Sequence, residues 1–221
     1  YEIMPSLVGS EMCIRDRKIA VVTGAGSVGP GVGNGKAAAI LYAREGAKVF
    51  LVDYNLEAAE ETKRLIDKEE GISSCSQADV SKSADCERII NECINSYGRI
   101  DILHNNVGAS LALGDAVATD VTEEAFDRSF AVNLKSHWMA CKHAIPIMRK
   151  QGRGSIVNIS SLAVLEAYPY VGYKTMKTAI RRFWPTMKTK TMSQSPIWTV
   201  SMTCLLYTSD AADDTPCVDL G

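Results

Sequence analysis

Short apolar runs alternate with longer segments in which apolar residues recur at spacings of three and four. The runs are rich in Val and Ile, as in Lys18-Ile-Ala-Val-Val-Thr23, which is typical of strands buried on both faces of a parallel sheet. The longer segments have the pattern of amphipathic helices. The pattern predicts strands at 18–23, 48–53, 73–80, 101–105 and 155–159, and helices at 36–45, 56–70, 83–97 and 123–150. It therefore predicts an α/β fold with a doubly wound parallel sheet and helices on both faces.

The two ends of the chain do not continue this pattern. Met12-Cys-Ile-Arg-Asp16 and Cys204-Leu-Leu-Tyr-Thr-Ser209 can be encoded by ATG TGT ATA AGA GAC and TGT CTC TTA TAC ACA TCT, which are reverse complements over almost their whole length. This relation resembles the two inverted ends of a sequencing adapter. We interpret residues 1–17 and 204–221 as non-native tails and expect one domain over 18–180. A signal peptide is the alternative for the first tail, but that tail lacks an apolar core.

The segment 181–203 also departs from the pattern. Six basic residues and no acidic residue lie between Ala167 and Thr203. A basic face for phosphates is one interpretation, and a reading-frame error after Lys177 is the other. We favour the second, because periodicity is lost and Pro185 would remove a hydrogen bond from a helix interior. We therefore expect no strand between Lys177 and Thr203, a sheet without its last strands, and one uncovered edge.

Composition narrows the class of protein. The chain has 221 residues, 46% of them hydrophobic, and a net charge of −2, which favours a globular protein and gives no case for nucleic-acid binding. No apolar run reaches the roughly 18 residues of a membrane span, so we expect no membrane partner. None of the seven cysteines forms a Cys-x-x-Cys pair, which argues against a metal site and favours unpaired thiols in the cytoplasm.

The first chemical signal is the glycine-rich turn from Thr23 to Gly35, between a predicted strand and a predicted helix. At this position a dinucleotide-binding fold places a pyrophosphate on a helix N-terminus, and glycine lets the backbone approach it closely. A flexible loop without a ligand is the alternative. The strand–turn–helix context favours the dinucleotide site.

Asp53 supports the same site. It ends the second predicted strand, where a carboxylate can accept hydrogen bonds from both ribose hydroxyls of the adenosine half. A carboxylate there repels a 2′-phosphate, and Tyr54 follows where an Arg would accommodate that phosphate. The pattern favours NAD over NADP, with a solvated acid at a strand end as the alternative.

An ordered set of motifs resembles the short-chain dehydrogenase/reductase family over residues 18–180. The motifs are Gly24 through Gly35, Asp79-Val80, Asn105-Asn-Val-Gly108, Asn133, Ser160-Ser161 and Tyr173-x-x-x-Lys177. The turn is about five residues longer than the usual Thr-Gly-x-x-x-Gly-x-Gly, as in members similar to 3-oxoacyl-carrier-protein reductases. The resemblance implies a Rossmann-like fold and a homo-oligomer.

The resemblance also implies which residues bind the cofactor. The turn residues are Gly24, Gly33, Asn34 and Gly35, with Gly33 and Gly35 as its last two glycines. Asp79 and Val80 would hold the adenine, and Asn105 and Gly108 would line the cofactor after the fourth strand. Turn formation is a second interpretation of Asn105 and Asn106, compatible with the first.

Tyr173 and Lys177 lie four residues apart, so they share one face of a helix. A lysine ammonium near the phenol lowers the phenol pKa, so Tyr173 can act as general base in alcohol oxidation and general acid in carbonyl reduction. The resemblance implies that Lys177 also binds the nicotinamide ribose, that Ser161 contacts the substrate oxygen, and that Asn133 orders a water beside Lys177.

The function that we expect is an NAD(P)-dependent oxidoreductase that interconverts a secondary alcohol and a ketone. A dinucleotide-binding regulatory protein without turnover is the alternative, and an inactive truncated fragment is a third. The complete set Ser161, Tyr173 and Lys177 favours the enzyme, because a sensor does not need it. Leu111 and Leu113 suggest an apolar substrate.

Further expectations concern the predicted long helix. Trp138, Met139, Ile145 and Met148 are candidates for apolar contact between subunits, with core packing as the alternative. His137 and His143 are expected to be partly exposed, and His104 to be packed in a strand, without a metal.

Overall fold

The computed structural model describes residues 18–29, 31–187 and 197–202. Its strands are β1 (Ile19–Thr23), β2 (Lys48–Asp53), β3 (Ser73–Gln77), β4 (Ile102–Asn105), β5 (Gly154–Ile159) and β6 (Ile197–Met202). Its α-helices are α1 (Asn34–Arg44), α2 (Leu56–Lys68), α3 (Ser83–Tyr97), α4 (Glu123–Phe130), α5 (Ser136–Gln151) and α6 (Val171–Met187). A π-helical turn, Ala131–Lys135, joins α4 to α5, and short 3-10 turns occupy Leu111–Leu113 and Leu162–Val164.

The strands form one sheet in the order β3-β2-β1-β4-β5-β6, with every neighbouring pair parallel. The order reverses between β1 and β4, because β2 lies on one side of β1 and β4 on the other. Ligands of open parallel sheets bind beyond the carboxyl ends of the strands at such a switch point. The predicted doubly wound α/β fold is confirmed.

Successive residues of the central strands bury their side chains on opposite faces of the sheet. Val21 and Phe50 belong to a core that contains residues of α3 and α5, whereas Val22 and Leu51 belong to a core that contains residues of α1 and α2. Full burial of each such side chain stabilises the fold by roughly 1.5–3 kcal/mol. The apolar runs were therefore a good guide to strands covered on both faces.

The expectation that no strand follows Lys177 is wrong. Helix α6 continues to Met187 with Pro185 in its last turn, and β6 pairs with β5 from Gly154↔Ile197 to Ile159↔Met202. The edge of β5 that we expected to be uncovered carries this strand. Parallel pairing uses backbone groups, so a segment without clear side-chain periodicity can still complete the sheet. The predicted tails, 1–17 and 204–221, lie outside the described residues.

Two expectations for the predicted long helix, the exposure of His137 and the apolar contacts between subunits, differ from the structure. His137 is only 3% exposed, with Nε2 3.1 Å from the Val107 carbonyl oxygen, so the prediction of partial exposure is wrong. Of the four candidate subunit-contact residues, Met139, Ile145 and Met148 are buried in the core, and Trp138 alone is exposed. Core packing, the alternative interpretation of these residues, accounts for the three that are buried. Within the described residues, no helix is both long and apolar enough to cross a bilayer.

Candidate active site

The glycine turn leaves the carboxyl end of β1 and closes on itself before α1. Gly24 has a φ of +67°, and a Cβ on Gly35 would overlap the Gly24 carbonyl oxygen. The Gly33 N–H donates to Ser27 Oγ at 2.7 Å. Only glycine fits at position 35, because a methyl group would overlap the backbone of the preceding strand end. The turn thereby brings the start of α1 against the carboxyl end of β1.

The first residues of α1 carry polar groups that suit an anionic or hydroxylated ligand. No side chain of the described residues caps α1, whose N-cap position is Gly33. Asn34 Oδ1 is buried and accepts no hydrogen bond from the described part of the chain. Lys36, which our sequence reasoning missed, is 3% exposed, and its Nζ lies 2.8 Å from Glu61 Oε1 of α2. This ion pair holds α1 against α2.

Asp53 ties the end of β2 to the glycine turn. Its Oδ2 accepts a hydrogen bond from Gly26 N at 2.9 Å, and its Oδ1 accepts one from Asn55 N at 2.9 Å. A carboxylate offers about four lone-pair sites, so it retains capacity for ligand hydroxyls. Sequence reasoning missed Gly26, where a Cβ would stand 2.5 Å from Ala58 Cβ.

Asp79 lies beyond β3 and is held by its own neighbours. Its Oδ1 accepts hydrogen bonds from Ser81 N at 3.1 Å and Ser81 Oγ at 2.6 Å, and Lys82 Nζ lies 3.3 Å from Oδ2. Burial by itself would raise the pKa of Asp79, but the Ser81 and Lys82 contacts outweigh it and lower that pKa below its ordinary value. Val80 packs into the core that includes residues of α3.

The two asparagines at the end of β4 have different positions. Asn105 is 1% exposed, and its Nδ2 donates to Asn158 Oδ1 of β5 at 2.9 Å, so its side chain lies within the sheet. Asn106, which sequence reasoning considered only as a turn residue, approaches the glycine turn, with Nδ2 3.2 Å from the Gly24 carbonyl oxygen. The dipeptide itself was the signal, but which member faces the turn depends on strand register.

Lys177 is fixed at the ends of two neighbouring strands. The side chain is 1% exposed, and its Nζ donates to the carbonyl oxygens of Val107 at 3.0 Å and Ile159 at 3.1 Å. A Cβ on Gly108 would lie 2.6 Å from this Nζ. The structure therefore brings Gly108 and Lys177 together, as the sequence predicted.

Asn133 lies in the π-helical turn and holds the segment that follows β4. Its Nδ2 donates to the Ala109 carbonyl oxygen at 2.8 Å, and its Oδ1 accepts a hydrogen bond from Ala109 N at 2.9 Å. The same Oδ1 would stand 3.1 Å from a Cβ on Gly108. Single π-helical turns inside helices occur frequently at functional sites.

Tyr173 occupies the first turn of α6, and its ring centroid lies 5.7 Å from Lys177 Nζ. Ser161 follows β5, and its Oγ accepts a hydrogen bond from Ala163 N at 3.2 Å. Ser160 Oγ donates to the Lys177 carbonyl oxygen at 2.9 Å, which joins the end of β5 to α6. These residues lie beyond the carboxyl ends of β4 and β5, next to the switch point.

Sequence reasoning also missed Asp115, a buried carboxylate that accepts a hydrogen bond from Tyr173 N at 2.8 Å. No local pattern marks it, because Tyr173 lies 58 positions away along the chain. Within the described residues, no group of three or more His, Cys, Asp or Glu side chains could hold a metal ion.

Comparison with known proteins gives consistent results. A sequence model described as short chain dehydrogenase matches residues 18–213. An uncharacterized oxidoreductase of Thermotoga maritima is 41% identical over 152 residues, which cover 69% of this chain and 57% of that protein. The 3-oxoacyl-[acyl-carrier-protein] reductase FabG of the same organism is 34% identical over 155 residues, which cover 69% of this chain and 58% of that protein. The matched region thus spans less than three fifths of either relative.

A solved structure extends the comparison to the fold. A 7α-hydroxysteroid dehydrogenase complexed with NADH and 7-oxo glycochenodeoxycholic acid superposes with a TM-score of 0.76 at 27% identity. The alignment covers 85% of this chain and 70% of that one. The predicted resemblance, including similarity to a 3-oxoacyl-carrier-protein reductase, is confirmed.

Proposed function

Because the chain belongs to the short-chain dehydrogenase family, we propose that it transfers a hydride between a nicotinamide dinucleotide and a secondary alcohol or ketone, with Tyr173 as general acid and base. The observation that carries the proposal is the buried Lys177 ammonium, 5.7 Å from the Tyr173 ring centroid at the carboxyl ends of the strands. A buried positive charge beside a phenol favours the phenolate and lowers the energy of proton transfer.

The residues around the switch point suit a dinucleotide. The turn approaches the strand end too closely for any side chain at Gly35, and the start of α1 has no side-chain cap among the described residues. Amide groups at such a helix start attract phosphate oxygens. Asp53 would receive the ribose hydroxyls, and Asn34 and Asn106 would lie along the phosphates. This set supports the proposed cofactor from the adenosine half to the pyrophosphate.

In the proposed mechanism, the nicotinamide supplies or accepts the hydride when it is bound. In ketone reduction, Tyr173 would give its phenolic proton to the carbonyl oxygen as that oxygen gains charge. In alcohol oxidation, the phenolate would take the hydroxyl proton. Lys177 would stabilise the phenolate and bind the ribose, and Ser161 Oγ would hydrogen-bond to the substrate oxygen. Asn133 retains one acceptor lone pair on Oδ1 that could order a water beside Lys177.

We further propose NAD rather than NADP, because a carboxylate at Asp53 repels a 2′-phosphate. An apolar substrate fits the exposed Leu111 and Leu165, which are 39% and 62% exposed on the segments that follow β4 and β5. The related hydroxysteroid dehydrogenase, whose structure holds an oxo compound, supports a ketone as the substrate class.

Two alternatives make different predictions. A regulatory protein would bind NADH without turnover, and an inactive fragment would show neither tight binding nor turnover. The relatives named as oxidoreductase, reductase and dehydrogenase favour the enzyme. The match spans less than three fifths of the two curated relatives. The activity of the 221-residue chain itself is therefore the quantity to measure.

The test uses the 221-residue chain with NADH and a panel of apolar ketones. NADH binding is followed by fluorescence titration, and turnover by loss of NADH absorbance. We expect Tyr173→Phe to abolish turnover and to leave NADH binding within about twofold, because the ring is kept and only the proton donor is lost. Tyr97→Phe is the matched control: it removes a hydroxyl of α3 that lies 2.9 Å from Ser74 Oγ on β3, and should leave turnover unchanged. Retention of most activity in Tyr173→Phe would exclude Tyr173 as the acid and base.

A further inference from the structure

Asp115 is a buried carboxylate in the segment between β4 and α4. It is 5% exposed, and its two oxygens accept four hydrogen bonds. Oδ1 accepts from Gly172 N at 2.8 Å and Ala116 N at 3.1 Å, and Oδ2 accepts from Ser110 Oγ at 2.9 Å and Tyr173 N at 2.8 Å. Charge-assisted bonds of this kind are stronger than neutral ones, which accounts for a carboxylate in a dry position.

These contacts supply the start of α6 with acceptors from a distant part of the chain. The first N–H groups of a helix have no partner within the helix. Here Val171 N donates to the Ala116 carbonyl oxygen at 3.1 Å, and Gly172 N and Tyr173 N donate to Asp115. A negative charge is also favourable at the positive end of the helix dipole. The segment 115–116 therefore caps the helix that carries Tyr173.

Close packing around Gly172 leaves little room for a side chain at this position of the cap. A Cβ on Gly172 would lie 2.9 Å from Asp115 Oδ1 and 3.0 Å from Ser129 Oγ. Ser110 Oγ, which donates to the carboxylate, is also 2.8 Å from the Tyr168 hydroxyl oxygen, and the Tyr168 and Tyr173 ring centroids are 6.0 Å apart. The Asp115 carboxylate thus contacts the backbone N–H of Tyr173 directly and, through Ser110, the Tyr168 side chain that lies beside the Tyr173 ring.

We propose that Asp115 is a positioning residue for Tyr173: it holds the first turn of α6 so that the phenol stays beside the Lys177 ammonium. The inference rests on the proposed role of Tyr173 as acid and base. Without the carboxylate, the N–H groups of Gly172 and Tyr173 lose their hydrogen-bond acceptors. The Tyr173 side chain can then move relative to Lys177. Lys177 stays in place, because its partners are the carbonyl oxygens of Val107, just after β4, and of Ile159, at the end of β5.

The principal variant is Asp115→Asn, which keeps the shape but replaces one acceptor oxygen by an NH2 group. We expect the kcat of ketone reduction to fall about 10- to 100-fold, the effect of a misplaced catalytic group, while the Kd of NADH changes less than about twofold. Asp120→Asn, at an exposed position in the same segment, is the matched control and should leave kcat unchanged. A kcat for Asp115→Asn equal to that of the control would overturn the proposal.

A second readout does not need turnover. The pKa of the Tyr173 phenol is measured by NMR on ring-labelled tyrosine, with Tyr173→Phe to assign the signal. Displacement from Lys177 should raise this pKa in Asp115→Asn, whereas mere loss of a negative charge would lower it. An unchanged or lowered pKa would contradict positioning. Absence of turnover in the unaltered chain would instead reject the proposed function and leave this measurement able to decide the role of Asp115.

A third variant covers the case in which Asp115→Asn does not fold. Gly172→Ala keeps the carboxylate but presses a methyl group against its Oδ1. It should lower kcat and raise the Tyr173 pKa in the same direction as Asp115→Asn, because the helix start is pushed from its acceptor. Unchanged kcat and Tyr173 pKa in Gly172→Ala would overturn the proposal.

Discussion

Lys177 packs so tightly on Gly108 that a methyl group at Gly108 would stand 2.6 Å from the lysine Nζ and 2.7 Å from its Cε. The ammonium reaches this position because it donates to the carbonyl oxygens of Val107, two residues after β4, and of Ile159, at the end of β5. The segment after β4 can approach α6 only where a side chain is missing. Gly108 is therefore a condition for the position of the buried charge.

Gly108→Ala should displace Lys177 and lower turnover at least about tenfold, with a loss of about 1–3 kcal/mol in the free energy of unfolding from overpacking. Turnover and urea unfolding measure the two effects. Gly98→Ala is the control, because its φ of +77° makes alanine unfavourable while nothing within 4 Å crowds the new methyl group. It should lose stability and keep activity. Equal activities of the two variants would contradict the prediction.

Asp53 should make NADH bind more tightly than NADPH, because its charge repels a 2′-phosphate. Asp53→Asn should narrow the difference between the Kd values of NADH and NADPH while keeping an acceptor for Gly26 N. Asp53→Ala should also loosen the glycine turn, because this hydrogen bond is lost. Fluorescence titration of both nucleotides with each variant separates the charge from the turn. Tighter binding of NADPH by the unaltered chain would remove Asp53 from this role.

Acid should destabilise the fold through His104. Burial lowers the pKa of His104 to about 4 from 6.5. Between these two pH values His104 is protonated in the unfolded chain and neutral in the folded chain. The contribution to stability is present above pH 6.5 and is lost as the pH falls toward 4, by about 1.4 kcal/mol per pH unit. Burial, aided by the Lys177 charge, also lowers the pKa of His137 to about 3, which steepens the same loss.

Urea unfolding at several pH values between 7 and 4 measures this slope, and His104→Phe should reduce it. Tyr42→Phe is the control, because it removes the hydroxyl 3.0 Å from His104 Nδ1 and keeps the titrating ring. It should cost about 1 kcal/mol at every pH and leave the slope in place. A slope that survives in His104→Phe would show that other groups dominate acid unfolding.

We expect the predicted homo-oligomer to depend on exposed apolar residues of α4 rather than on the buried methionines of α5. Phe126 and Phe130 lie four residues apart on α4 and are 37% and 42% exposed. Phe130→Glu should convert an oligomer to a monomer, because a carboxylate would be buried in an apolar contact. Light scattering reads the mass, and Ile72→Glu, at a 54% exposed position outside this helix, should keep the oligomer. A monomeric unaltered chain at micromolar concentration would contradict the prediction.

Local order along the chain was enough to identify most elements. The predicted bounds of β2 and α3 agree with the structure, because apolar periodicity reports which residues of one segment share a buried face. The glycine turn, Asp53 and the pair Tyr173 and Lys177 were also visible, since each motif spans only a few residues. The same reasoning gave a wrong prediction for the end of α6 and for β6, because it relied on Pro185 and on the loss of periodicity. Both are signs of local propensity, and neither indicates pairing with a distant strand.

The sequence by itself therefore determined the order of strands and helices and the chemical groups that follow them. Only the tertiary structure decided that Asn106 faces the glycine turn while Asn105 bonds to Asn158 within the sheet. It also decided that Asp115 caps the helix of Tyr173, across 58 positions. These contacts depend on strand register and on how the loop after β4 packs against α6. No spacing within one segment encodes them, because hydrogen bonds between distant residues form only once the sheet has brought their segments together.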